Sequence, residues 1–283
     1  MAETDYILKI RSPDRPGILA EVSTFLSSKG ADIRDAAQYG DPEPSSFFIR
    51  IHLTSPQASH EELCAAFGPV AQKRAFDWGL HPAEKKCRVL LAVSRHGHCL
   101  VDLLHRWQIN ALPVDIVGVV SNHRVMEDIT NVYGLPFHYL PVSKETKQTQ
   151  EEQFQRLIDE TSADLVVLAR YMQILSNAFA QRLEGRCINI HHSFLPSFKG
   201  ARPYHQAHGR GVKLIGATAH YVTPDLDEGP IIEQDVKRVT HAQTPDALVS
   251  IGRDVESQVL ARAIRWHAEH RVFISGRKTV VLA

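Results

Sequence analysis

The chain has 283 residues, 43% of them hydrophobic, and 32 Lys plus Arg balance 32 Asp plus Glu, so the formal net charge is zero. That length suits two domains, and the balanced charge argues against nucleic acid or an acidic membrane surface as the main partner. Cys64, Cys87, Cys99 and Cys187 form no C-x-x-C pair or disulfide framework, no apolar run suggests a membrane span, and the N-terminus lacks signal-peptide features. A cytoplasmic protein with reduced thiols is therefore expected.

Residues 6–11 have strand composition, and Ser12-Pro13-Asp14-Arg15-Pro16-Gly17 follows as a turn. Ile18, Val22, Phe25 and Leu26 fall at helical spacing, and Lys29-Gly30 closes that helix. Residues 31–38 and 47–53 read as strands, 61–74 as a helix and 75–80 as a fourth strand. The order β-α-β-β-α-β is the ferredoxin-like plan. The polar, Pro-bearing stretch 81–86 marks a boundary, placed between residues 82 and 83.

Asp14-Arg15-Pro16-Gly17-Ile18-Leu19, with Val22, Leu26 and Gly30-Ala31-Asp32-Ile33 behind it, resembles the start of an ACT domain. The resemblance implies a regulatory module that pairs between subunits and binds an amino acid at the shared interface. A homo-oligomer is then expected, with an effector such as glycine or methionine near Asp14, Arg15 and Gly17. An oligomerisation surface without a ligand is the competing reading.

From Cys87 the pattern changes. Strand-like segments at 88–93, 115–121, 137–140, 164–169, 187–191, 214–222 and 231–236 are interleaved with helical ones at 97–107, 125–133 and 151–160. A long helix after Asp246 carries Leu248, Ile251, Val255, Val259 and Ile264 on one side. Such alternation predicts an α/β domain over 83–283 with a mostly parallel, doubly wound sheet. Ligands of such sheets sit beyond the carboxyl ends of the strands, at a topological switch point.

Asn189 and His191 are two residues apart, so on a strand they project from one face, at its end. A carboxylate from Asp227-Glu228-Gly229-Pro230 could join them. Amide, imidazole and carboxylate together suit acyl-group chemistry. An isolated Asn–His pair more commonly satisfies loop backbone groups, and Asp-Glu-Gly alone is more commonly a surface turn.

The combination Asn189-Ile190-His191-x-Ser193-x-Leu195-Pro196, then Leu226-Asp227-x-Gly229-Pro230, resembles the formyltransferase family that uses 10-formyltetrahydrofolate, over nearly all of residues 87–283. The resemblance implies Asn189, His191 and Asp227 as the catalytic set. It also implies a folate pocket on Arg170, Tyr171, Met172, Gln173, Ile174 and Leu175 and on the loop that starts at Tyr221 and Val222. Sequence alone leaves open whether Met172, Ile174 and Leu175 are core or pocket wall.

The departures narrow the choice. Glycinamide ribonucleotide transferases have a loop of small residues gripping the substrate phosphate, where this chain has the bulkier Ser94-Arg95-His96-Gly97-His98-Cys99. The tRNA-acting members carry a C-terminal RNA-binding domain, and this chain ends soon after its long helix. With His191-His192-Ser193 and Gly200-Ala201-Arg202-Pro203-Tyr204-His205, it resembles the deformylase branch, in which water takes the formyl group. Arg202, Tyr204 and His205 are left as either the former acceptor side or a helix cap.

That resemblance implies hydrolysis of 10-formyltetrahydrofolate to formate and tetrahydrofolate, supplying formate for purine synthesis and balancing one-carbon pools. Asn189 would hold the oxyanion. Asp227, with a pKa raised by desolvation, would act as the base on water, and His191 would stabilise the oxyanion and pass on the proton. A transferase with an unidentified small acceptor is the alternative, and an amino-acid sensor on a decayed core the third reading. Neither a permanently bound cofactor nor a metal is expected, because no metal-ligand spacing recurs and His191 and His192, adjacent on a strand, face opposite ways.

Overall fold

Tyr6, Leu8 and Ile10 alternate along β1 (Thr4–Pro13) and fill one core, while Ile7 and Lys9 face the other way. This period of two makes the strand the centre of a small sheet in the computed structural model, which describes residues 4–43, 45–56, 58–192 and 203–283. After β1 come α1 (Ile18–Ser28), β2 (Asp32–Asp41), β3 (Ser46–Ser55), α2 (His60–Arg74) and β4 (Asp77–Pro82). The sheet order is β2-β3-β1-β4, with β1 antiparallel to both neighbours, as the ferredoxin-like plan requires. Gly17 opens α1 at φ 89°, a backbone that favours glycine. A reciprocal Ser59–Glu62 capping box opens α2.

The contact pattern groups Met1–Lys86 with two C-terminal pieces, Glu269–Ser275 and Val280–Ala283, which a simple division at 82/83 does not anticipate. The reason lies on the second face of β1 and β3. Lys9 Nζ donates to the Val272 carbonyl at 2.7 Å, Arg50 Nε donates to the Glu269 carbonyl at 3.0 Å, and Phe48 packs with Phe273 and Leu282. Val272 and Phe273 belong to a C-terminal hairpin, β12 (Val272–Ser275) and β13 (Lys278–Val281), which Glu269 and Leu282 flank and which is absent from the sequence expectation.

The second unit, Cys87–Ala268 with Gly276–Thr279, contains β5 (Cys87–Val93), α3 (His98–Gln108), β6 (Val114–Ser121), α4 (Glu127–Val132) and β7 (Phe137–Tyr139). Then come α5 (Lys147–Glu160), β8 (Leu165–Leu168), α6 (Asn177–Arg182), β9 (Cys187–His191), α7 (Pro203–Gly209), β10 (Leu214–Tyr221), β11 (Ile231–Arg238) and α8 (Pro245–Ala268). The short helices α6 and α7 lack an apolar period long enough to read from sequence. The sheet order is β11-β10-β9-β8-β5-β6-β7. Its five strands from β9 to β7 are parallel, and β10 runs antiparallel to both neighbours.

Helices cover both faces. From α5 and α6, Phe154, Ile158, Phe179 and Ala180 pack on Leu90, Ala92, Val166 and Leu168. On the opposite face α8 packs on α3 and crosses β9, β10 and β11. Burying both faces is why the strands read as unbroken apolar runs. The chain builds outward from β5 through β6 to β7, then crosses back to β8 and β9. The switch point therefore lies between β5 and β8, and the carboxyl ends of β8 and β9 open beside it. No helix among the described residues is long and apolar enough to cross a membrane.

Candidate functional site

At that end Asn189 and His191 leave β9 on the same face, both half-buried, while Ile190 between them is buried. Antiparallel pairing sets His220 of β10 directly opposite Asn189, and Thr218 opposite His191. The connection from β10 to β11 then turns back over the sheet and brings Asp227 to the same place. His191 Nδ1 lies 3.2 Å from Asp227 Oδ2, and the Asn189 amide nitrogen lies 3.4 Å from Asp227 Oδ1 and 3.3 Å from His220 Nε2. Amide, imidazole and carboxyl, drawn from segments nearly forty residues apart, share one small space.

The turn that delivers Asp227 is tightly constrained. Asp227 itself has φ 57°, a left-handed backbone that Asp tolerates better than most residues. Two residues on, Gly229 passes so close to β10 that a Cβ there would land on the Tyr221 carbonyl oxygen. Gly229→Ala is accordingly expected to push the turn off the sheet, at a cost of about 1–3 kcal/mol. Turnover should fall with the melting temperature, because Asp227 moves with the turn. Unchanged melting and turnover would show that the close approach is not needed.

Asp227 differs from the sequence expectation in its protonation. Burial pushes its carboxyl up, but hydrogen bonds and charge from His191 and His220 outweigh burial and hold it well below the usual carboxylate range. It is an ionised acceptor, not a base with a raised pKa. Being ionised, it can only accept, so the His191 ring carries its proton on Nδ1 toward Asp227, and the lone pair of the neutral ring lies on Nε2. His220 meets the Tyr221 carbonyl through Nδ1 at 2.9 Å, and its Nε2 lies 3.3 Å from the Asn189 amide nitrogen and 3.6 Å from Asp227 Oδ1.

A cleft of about 240 Å³ opens onto these groups. Arg170, Tyr171, Met172, Gln173, Ile174 and Leu175 all line it, as does Val222. This wall is pinned from outside. Gln150 donates to the Tyr171 hydroxyl at 2.8 Å, the Met172 amide donates to Ser94 Oγ at 2.9 Å, and Glu151 takes both the amide and the hydroxyl of Ser176. Met172, Ile174 and Leu226 stay well exposed, giving the mouth of the cleft an apolar lip. Exposed apolar side chains grouped around a cleft mark a binding surface.

Tyr221 does not line the cleft. Alternation along β10 sends it to the opposite face, where its hydroxyl meets His267 Nδ1 at 2.7 Å. His220, buried and in the cleft, is the residue sequence reasoning missed. The alternation that places Val222 there places His220 there too, but the unbroken apolar run around it concealed the signal. His192 also lines the cleft, with Nδ1 2.9 Å from Arg170 Nη1; it does not face away from His191 as strand alternation predicts, because β9 ends at His191. Ser193, Leu195, Pro196, Gly200, Ala201 and Arg202 lie outside the described residues. Asp14, Arg15 and Gly17 sit together in the turn from β1 to α1, where the Arg15 guanidinium lies 5.7 Å from the Phe76 ring.

Among the described residues, one group of side chains offers donors for a metal ion: an atom each of His98, Cys99 and Glu256, within 4.8 Å of one another. Both Glu256 oxygens are already engaged, by the Tyr204 hydroxyl and by His98 Nε2, each at 2.8 Å. Burial pushes the Cys99 thiol far up, away from the thiolate a metal would need. The cluster is a hydrogen-bonded polar core.

The formyl transferase family model matches residues 87–264 and the ACT domain model residues 6–62. A formyltetrahydrofolate deformylase from Corynebacterium sp. (strain P-1) is 48% identical over 279 residues, covering 98% of each chain. The crystal structure of formyltetrahydrofolate deformylase from Burkholderia mallei superposes with a TM-score of 0.95 at 45% identity, covering 99% of this chain and 100% of that one. Glycinamide ribonucleotide transformylase 1 from Symbiobacterium toebii matches 70% of this chain and 95% of its own, at 28% identity and a TM-score of 0.65.

Proposed function

This chain belongs to the formyltetrahydrofolate deformylases of the formyl transferase family, and from that premise we propose how its cleft hydrolyses 10-formyltetrahydrofolate to formate and tetrahydrofolate. The observation that carries the reading is the Asn189–His191–Asp227 constellation at the floor of an apolar-lipped cleft. The pteridine ring lies along residues 170–175, and the formamide reaches the constellation.

His191 Nε2 takes a proton from water, and the resulting hydroxide attacks the formyl carbon. Asp227, ionised and fixed on Nδ1, stabilises the imidazolium that forms. The Asn189 amide donates to the oxyanion. Its present hydrogen bonds, 3.3 and 3.4 Å long, are weak enough to be exchanged for a better acceptor. The imidazolium then gives its proton to the leaving nitrogen, the C–N bond breaks, and formic acid ionises to formate. The burial that pushes the Tyr171 phenol up to about 12 keeps it a protonated wall residue.

The wider reading follows from the same premise. Residues 1–82 serve as an ACT domain that pairs between subunits of a homo-oligomer and takes an amino acid near Asp14, Arg15 and Gly17. Residues 83–283 carry the chemistry, need no resident cofactor and act in the cytoplasm, where the formate serves purine synthesis. Purified protein given 10-formyltetrahydrofolate in buffer alone is expected to release formate, at a rate altered by glycine or methionine. Formate release only with an added amine would favour the transferase alternative. A rate and calorimetric trace indifferent to both amino acids would remove the effector.

A further inference from the structure

Behind the cleft, Glu256 of α8 is 1% exposed yet ionised. Burial pushes its carboxyl up, but hydrogen bonds from His98 and Tyr204 and the charge of Arg170 bring it below the ordinary range. Arg170 Nε lies 3.4 Å from Glu256 Oε2, an ion-pair contact too poorly aligned for a hydrogen bond. At its other end the same guanidinium meets His192 Nδ1 at 2.9 Å. His192 in turn stacks on His191, with ring centroids 4.9 Å apart and planes 24° from parallel. Arg170 holds this bridging position with φ 65°, a left-handed backbone that a long side chain adopts only when its surroundings impose it.

We propose that Glu256 is a positioning residue for the hydrolysis: acting through Arg170, it fixes His192 as the neutral, Nε2-protonated partner stacked on His191 and cancels the guanidinium charge beside the imidazole that takes up water's proton. The proposal rests on the role assigned above to His191. A guanidinium only donates, so His192 Nδ1 must present a lone pair and the proton must sit on Nε2. Burial, Arg170 and His191 together hold the His192 imidazole down to about 4, so near neutral pH it adds no second positive charge to the stack. Without Glu256, Arg170 would stand as an uncompensated cation in a largely buried position, where such a charge acts more strongly than in open water.

The charges that bear on His191 come from several elements. His192 stacks on it, with Arg170 and then Glu256 behind His192, and Asp227, itself 3.6 Å from His220 Nε2, meets its Nδ1. Glu256 is itself faced by His98 and Cys99 of α3 and Tyr204 of α7. Removing Glu256's charge therefore disfavours the imidazolium, and removing Arg170's charge favours it.

Two variants and one spectrum test this. Glu256→Gln keeps the shape and should move the acid limb of the kcat/KM profile to lower pH, and Arg170→Gln should move it to higher pH, each by up to about one unit. In Glu256→Gln, kcat should fall on the order of 10-fold with a smaller change in KM, because the less basic imidazole that results takes water's proton less readily. A carboxylate that only holds the fold would lower the melting temperature and leave the limb in place, and limbs that stay put or move together overturn the proposal. Nitrogen NMR of the imidazoles in the unmodified resting protein needs no turnover. It should show His192 neutral with its proton on Nε2 at pH 7, and an Nδ1 proton or a charged ring there overturns the proposal even if both variants fail to fold. If the unmodified protein released no formate, the hydrolytic role would fall while that spectrum still decided the arrangement of His192.

Discussion

Asp227→Asn is expected to lower kcat by about 10³- to 10⁴-fold, the loss that follows when the carboxylate of an Asp–His pair becomes an amide. The ionised carboxylate accepts the Nδ1 proton of His191 at 3.2 Å and so leaves Nε2 able to take a proton from water. An Asn side chain can donate to Nδ1 instead. The ring would then carry its proton on Nε2 and could no longer serve as the base. KM should change little, because the carboxylate acts on the reacting imidazole and not on the pteridine. Turnover within tenfold of the parent would remove Asp227 from the mechanism.

The same variant carries a stability signature. A carboxyl whose folded-state pKa lies below the unfolded value of about 3.9 contributes stability that is fully present above that value and is lost as pH falls through the folded one. The parent should therefore melt above Asp227→Asn near neutral pH, and the gap should narrow on acidification below about pH 4. A gap that widened in acid would mean the carboxyl is protonated in the folded chain.

The site's side-chain pattern was legible where a backbone period governs it. Asn189 and His191 share a face because strands alternate, and the unbroken apolar runs at residues 88–93 and 164–169 announced a sheet covered on both sides. Asp227 could be attached to them only by the likeness of its motif to known formyltransferases, since nothing local to a turn says which strand end it will cover. Its charge state was not legible at all. Desolvation alone would raise its pKa, and the opposite outcome depends on two histidines, one of which, His220, lies hidden in an apolar strand. Tyr221 shows the cost of naming a loop by its sequence span: one residue before Val222, it necessarily faces the other way. Glu256 stands on an amphipathic helix where a carboxylate reads as solvated surface, and only the packing of α8 on α3 and the sheet buries it. The C-terminal hairpin escaped notice because its strands are four residues each, too short for alternation to stand out.

Asn189→Ala should reduce kcat by about 10²- to 10³-fold, the usual consequence of losing one oxyanion donor. Little stability should go with it, because its hydrogen bonds to His220 and Asp227, 3.3 and 3.4 Å long, are weak in the resting protein. That separation of rate from stability marks a group whose strongest interaction forms only in the transition state. Asn189→Asp is the sharper variant. It sets a second carboxyl within hydrogen-bonding distance of Asp227 and faces the developing oxyanion with negative charge instead of an N–H. Two carboxyls so close cannot both ionise readily, so one binds a proton more tightly than usual. At neutral pH the loss should exceed that of Asn189→Ala. If Asn189→Ala raised KM and left kcat intact, the amide would be holding the ground-state formamide, and the oxyanion would need another donor.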